Sequence, residues 1–96
     1  MFVGVYRLEL FLPGSHSLKA KRSVIQGLKA RLGDLRLAVA EVDGQDLWQR
    51  AAIGVAAVSA DVAYLDGLPA KIEAVVRRDP RANLLRLDRD VRPIEF

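Results

Sequence analysis

Between Ser17 and Leu32 the chain reads SLKAKRSVIQGLKARL, with five basic side chains and no acidic one. Three of the five, Lys19, Lys21 and Arg22, follow directly on a serine suited to cap a helix. The start of a helix carries the positive pole of the backbone dipole and unsatisfied N–H groups, so it favours anions over cations. Cations crowded there cost roughly a few tenths of a kcal/mol each, and a bound anion, phosphate foremost, offsets that cost. Residues three apart share a helix face, so Lys19 pairs with Arg22 while Lys21 is rotated away. With Lys29 further along, the expected patch is a broad phosphate-tracking face rather than a single clamp. An ordinary solvated helix face accounts for the same residues, and a small anionic ligand stands beside nucleic-acid phosphate as an occupant. The run lacks Walker glycines, which disfavours a nucleotide triphosphatase.

A second chemistry-bearing stretch is Glu41, Asp43, Gln45, Asp46, Trp48, Gln49 and Arg50. Three carboxylates within six residues can gather a hard cation such as Mg²⁺, which prefers oxygen ligands. The stretch is too short for a calcium loop and lacks its distal glutamate, and no metal is assigned. Trp48 can stack on a nucleobase with Arg50 beside it for phosphate. The plainer expectation is structural: Asp43-Gly44 turns a hairpin, Trp48 covers the sheet edge, and Glu41 or Asp46 pairs with Arg50. His16, the sole histidine, lies between Ser15 and Ser17 with no orienting acid in view, so nucleophilic catalysis is not expected.

The charge is local. Fifteen Lys and Arg against twelve Asp and Glu give a net +3. The basic segment alone supplies five positive charges, so the remainder, ten bases against twelve acids, is net negative by two. That argues for a directed patch rather than a diffusely cationic protein. Eleven of the fifteen bases are arginine, a bias that high-GC coding explains as well as function does. The absence of cysteine excludes disulfides and thiolate metal sites and fits cytoplasmic residence. Arg7 and Glu9 interrupt the N-terminal apolar run, which reads as a strand rather than a signal peptide. The longest apolar stretch, AAIGVAAVSA, is too short for a membrane span.

The elements that must position these residues follow from period and punctuation. Residues 2–12 are rich in strand formers and end at Pro13-Gly14. Ser17 caps a helix whose Leu18, Ile25, Leu28 and Leu32 recur at helical spacing, with Gly33 expected to close it in a left-handed conformation. A second strand is expected over 35–42, a loop over 43–49 and a third strand over 51–59. A second helix starts near Ser59 to Asp61. Its apolar stripe is Tyr64 or Leu65, Leu68, Ile72 and Val75 or Val76, and Gly67 and Pro69 predict a kink or a split within it. Asp79-Pro80 stops that helix, and a fourth strand runs from 83 to 91. The order β-α-β-β-α-β specifies an α+β, ferredoxin-like split βαβ domain over residues 1–96, a four-stranded antiparallel sheet with both helices on one face. Either Val3, Val5, Arg7, Glu9 and Phe11, or Tyr6, Leu8, Leu10 and Leu12, then face outwards. Neither set is wholly polar, so a homodimer joined sheet to sheet is a candidate assembly.

The segments PGSHSLKAKRSVIQGLKARL and AEVDGQDLWQRAAIGVAAVSAD together resemble the YlxP-like family, small bacterial proteins classed as a domain of unknown function. The resemblance covers residues 3 to about 76. It rests on Pro13, Ser17-Leu18-Lys19, Lys21-Arg22, Glu41, Asp46, Trp48-Gln49-Arg50 and the Ser59 to Asp61 stretch; the Gly67 to Pro69 interruption departs from it. It implies a ferredoxin-like fold and a bacterial, cytoplasmic protein. Members are often encoded beside translation and ribosome-maturation factors, which implies a connection to RNA or the ribosome. The resemblance supplies no catalytic residue and no cofactor.

The expectation is a non-enzymatic module that contacts RNA phosphate through Ser17, Lys19, Lys21, Arg22 and Lys29, with Trp48 and Arg50 contributing. The competing expectation is an assembly module that dimerises through the open sheet face.

Overall fold

The computed structural model describes residues 1–96. In chain order the elements are β1 (Phe2–Phe11), α1 (Leu18–Gly33), β2 (Ala38–Asp43), β3 (Arg50–Ser59), α2 (Val62–Arg77) and β4 (Asn83–Pro93). The sheet runs β2-β3-β1-β4 with every neighbouring pair antiparallel. Each β-α-β crossover therefore skips one strand, which is the ferredoxin-like split arrangement expected from the element order. No helix is long and apolar enough to cross a membrane.

Alternation along β1 decides the two faces. Tyr6, Leu8, Leu10 and Leu12 are buried beneath the helices, which leaves Val3, Val5, Arg7, Glu9 and Phe11 outward. The core joins these residues to Val24, Ile25, Leu28 and Leu32 of α1 and to Leu65, Leu68, Ile72 and Val76 of α2. Both helices thus bury a stripe at three- and four-residue spacing. On α2 the stripe passes through Leu65, while Tyr64 lies exposed with the Lys71 ammonium 5.5 Å from its ring centroid.

Two β-bulges re-aim side chains. In β2 the register slips between Glu41 and Asp43, so Glu41 stands opposite buried Ile53 while Asp43 stands opposite Ala52. In β4 the slip leaves Leu85 as the extra residue, so that Leu84 and Leu87 both reach the core and Leu85 is exposed.

Two sequence expectations are corrected at α1's end and in α2. Gly33 is the last helical residue, followed by Asp34 in right-handed helical geometry; the left-handed residue is Arg36, at φ 63°. Closing turns from Leu35 N–H to the Leu32 carbonyl and from Arg36 N–H to the Gly33 carbonyl use up the residues expected to begin β2.

The second correction concerns Pro69, which breaks nothing: α2 is one helix from Val62 to Arg77 with Pro69 inside it. Proline lacks the N–H that would bond the Leu65 carbonyl one turn earlier. The Tyr6 hydroxyl donates to that carbonyl at 2.6 Å from the strand below. Gly4, two residues before Tyr6 on the same face, makes the reach feasible; a Cβ there would lie 2.6 Å from the Tyr6 hydroxyl oxygen.

Tyr6→Phe should therefore destabilise the protein by about 1–2 kcal/mol, the cost of stranding a buried carbonyl. In a Pro69→Ala background the helix supplies its own donor, and the same change should cost less than about half as much. Urea melts of the four proteins in this double-mutant cycle measure the coupling, and equal costs in both backgrounds would refute the compensation.

Candidate nucleic-acid interface on the first helix

Ser17 caps α1 as expected: its hydroxyl accepts from the Ala20 N–H at 3.1 Å, and the first turn holds no acidic residue. Beyond that cap the five cations of the helix divide into two groups. Lys21 and Arg31 are committed to carboxylates of this chain, while Lys19, Arg22 and Lys29 have no acidic partner within ion-pair distance.

Lys21 corrects the sequence reading. It is only 2 % exposed and forms an ion pair with Glu41, Nζ to Oε2 3.0 Å. Its ammonium also donates to the Gly44 carbonyl, which accepts from the Leu47 N–H as well. Oε2 of Glu41 is buried and meets Lys21 as a charge without the alignment of a true hydrogen bond. Glu41 therefore pairs with α1 and not with Arg50. The inward turn has a simple cause. Lys21 lies four residues before Ile25 and seven before Leu28, in line with the buried stripe. Its aliphatic stem runs with the core and its head emerges at the hairpin.

That rotation fixes where the free cations point. At about 100° per residue, Lys19, Arg22, Gln26 and Lys29 fall within a sector of about 80°, centred about 120° around the helix from Lys21. All four are exposed. From Lys19 to Lys29 the stripe spans about 15 Å of helix axis. Arg22, Gln26 and Lys29, with Lys21 at the base, form one wall of a cleft of about 380 Å³; Glu41, Gln45 and Asp46 of the hairpin form the other.

The loop from Gly44 to Gln49 is held close to the start of α1. The Leu12 N–H donates to the Gln49 carbonyl at 2.9 Å, and the Gln49 side-chain amide donates to the Pro13 carbonyl at 3.2 Å. Gly44 adopts φ 76°, and its N–H donates to Asp43 Oδ1, an arrangement that closes the turn. Trp48 does not cover the sheet edge: it is 53 % exposed at the tip of this loop, next to Asp46, which also lines the cleft. Arg50 lines a hollow with Asp46 and Trp48. It stands opposite Phe11 on the open sheet face and lines a hollow there with Arg7, Glu9 and Asp43.

The three carboxylates considered for a cation do not converge. Alternation along β2 puts Glu41 on the helix side, by Lys21, and the bulge that follows it turns Asp43 to the open side, 3.4 Å from Arg7. No group of three or more His, Asp or Glu side chains lies close enough to hold a metal ion. His16 is exposed, and Ser15 is buried with its N–H donating to the Leu12 carbonyl.

A residue that the sequence presented only as a helix stop secures the far end of α1. Asp79, 5 % exposed, accepts from Arg81 through both carboxylate oxygens and from Arg31 at 2.6 Å. The Arg81 backbone N–H adds another bond. The Arg81 guanidinium, then this N–H and Arg31, outweigh burial and hold the Asp79 carboxyl well below the usual carboxylate range.

Two predictions follow from these contacts. Lys21→Met should cost about 2–3 kcal/mol, because Glu41 keeps its charge without a partner. The paired change Lys21→Met with Glu41→Leu should cost clearly less; thermal or urea melts of both decide it. Because the Asp79 carboxyl is depressed, its contribution is complete above about pH 4, the unfolded value, and is lost as pH falls below that. Asp79→Asn should cost about 2–3 kcal/mol at pH 7, with the gap to the unsubstituted protein narrowing between pH 4 and pH 2. A gap that stays constant with pH would show that Asp79 does not act through its charge.

Comparison with known proteins supports the sequence resemblance. Residues 3–89 match the family model described as a protein of unknown function, DUF503. The uncharacterised protein YlxP of Bacillus subtilis (strain 168) is 30 % identical over 88 residues, covering 79 % of this chain and 95 % of that protein. The chain belongs to the DUF503 family, whose function is not known.

Proposed function

We propose that this protein is a non-enzymatic cytoplasmic module that binds RNA, with ribosomal or precursor RNA as the target, through the exposed stripe on α1. The observation that carries the reading is the set of unopposed cations, Lys19, Arg22 and Lys29, on one helix face. Eight of the fifteen basic side chains lie within ion-pair distance of an acid, and these three are among the seven that do not. An unpaired surface cation releases a condensed counterion when it meets a phosphate without first breaking a bond at home. A stripe about 15 Å long can meet successive phosphates of one strand.

Trp48 adds an exposed aromatic surface at the neighbouring loop, suited to stacking on an unpaired base. The sheet plays no such part: its open face lacks the aromatic pairs with which an RRM stacks bases. The chain carries no thiol to be oxidised or reduced, which suits the compartment where ribosomes work. Lys21 and Ser17 support the site from inside, one by setting the helix rotation and the other by capping it.

The test is a filter-binding titration over a range of salt, on single-stranded and duplex RNA, with Lys19→Ala, Arg22→Ala and Lys29→Ala combined. Affinity should fall at least about tenfold, and the slope of log K against log salt should shrink by about 2–3, near one for each lost phosphate contact. An unchanged slope in the folded triple variant would remove α1 from the account. Trp48→Ala should weaken single-stranded binding by about 1–3 kcal/mol and leave duplex binding nearly unchanged.

A further inference from the structure

We propose that the open face of the sheet binds a second copy of this chain, giving a two-fold dimer joined sheet to sheet. The face carries an apolar patch over β2, β3 and β1, bordered by charged side chains. Val5, Val42 and Val58 are 46 %, 47 % and 64 % exposed, around a floor of Ala38, Ala40, Gly54 and Ala56. This floor, with Val5 and Val42 and with Arg7, Asp88 and Asp90 at its border, lines a shallow groove of about 610 Å³. Gly54 is part of its shape: a Cβ there would meet Val42 Cγ1 at 2.8 Å, so the valine lies flat over the glycine.

Charge selects the occupant. The open face carries four basic and four acidic side chains. Arg7 bonds Glu9 and Asp43, Arg86 bonds Asp88, Arg92 bonds Asp90, and Arg50 stands beyond them. They cancel, so the whole net charge of +3 lies off this face, where eleven bases meet eight acids. A polyanion gains nothing here, and neither does a strongly acidic or basic protein. A face that alternates signs is complementary to itself when turned about a two-fold axis, because each acid can meet a base of the other copy.

Area points the same way. Three strands about 33 Å long and the six-residue β2, about 20 Å, lie about 4.8 Å apart and present roughly 570 Å² in projection. Side-chain relief brings that near the ~800 Å² per partner of a stable association, provided the whole face is covered. A second sheet covers it, whereas a single bound strand does not.

Sedimentation velocity of the full chain tests the assignment, with a Val5→Lys and Val58→Lys double variant beside it. Both valines are exposed, so lysine there leaves the core alone, as circular dichroism and melting verify. The unsubstituted protein should sediment as a dimer at about 100 µM, and the double variant should weaken it at least about 100-fold through unpaired like charges at the seam. The Lys19, Arg22 and Lys29 alanine variant should remain dimeric, which separates this face from the helix. A monomer at about 100 µM overturns the proposal. So does a dimer that survives both lysines, since its interface would then be an edge strand or the helices.

Discussion

The buried ion pair between Lys21 and Glu41 sets the geometry on which the candidate interface depends. A lysine on the core side of a helix must find a partner, because an isolated buried ammonium is too costly to keep. Its partner is in reach because regular alternation along β2 puts Glu41, opposite buried Ile53, on the helix side of the sheet. Once the pair forms, the rotation of α1 about its axis is fixed and the loop at Gly44 is tied to it. The stripe of Lys19, Arg22 and Lys29 faces solvent because Lys21 does not. The most basic-looking cluster of the sequence is thus two things, a buried strut and an exposed surface, and the strut aims the surface.

Much of the fold was legible in the sequence, and what escaped has a common cause. Element order, the Ser17 cap and the apolar stripes depend on local period and punctuation, which a sequence displays directly. Lys21 escaped because its charge was weighed above its position, although its spacing to Ile25 and Leu28 marked it as inward. The bulges escaped because they are properties of paired strands: nothing in residues 38–43 alone says that Glu41 and Asp43 part company. Asp79 read as a helix stop because Arg31, one of its partners, lies forty-eight residues away. For the site, the free cations and the cap were visible from the start, while the place of Arg50, opposite Phe11 and beside the loop of Trp48, depends on the β3 register.

The two faces of the molecule differ in kind. On the helix side charge is unbalanced and partly unpaired, which favours long-range, salt-dependent attraction. On the sheet side charge is balanced and mutually satisfied around an apolar floor, which favours short-range contact with a shaped partner. Neither face needs the other in order to act, so the same small domain can present two independent surfaces.

The bond from Tyr6 to the Leu65 carbonyl also constrains how such a chain can change in descent. With proline at position 69 the Leu65 carbonyl takes its donor from the hydroxyl that reaches across from β1, a reach that passes close over the bare backbone of Gly4. The order of substitution therefore carries a cost: proline is accepted more cheaply with glycine and tyrosine already in place, and losing the tyrosine costs more while proline stays. Two neighbouring positions of β1 and a third on a distant helix are in this way coupled, so that a change at one alters what a change at another costs.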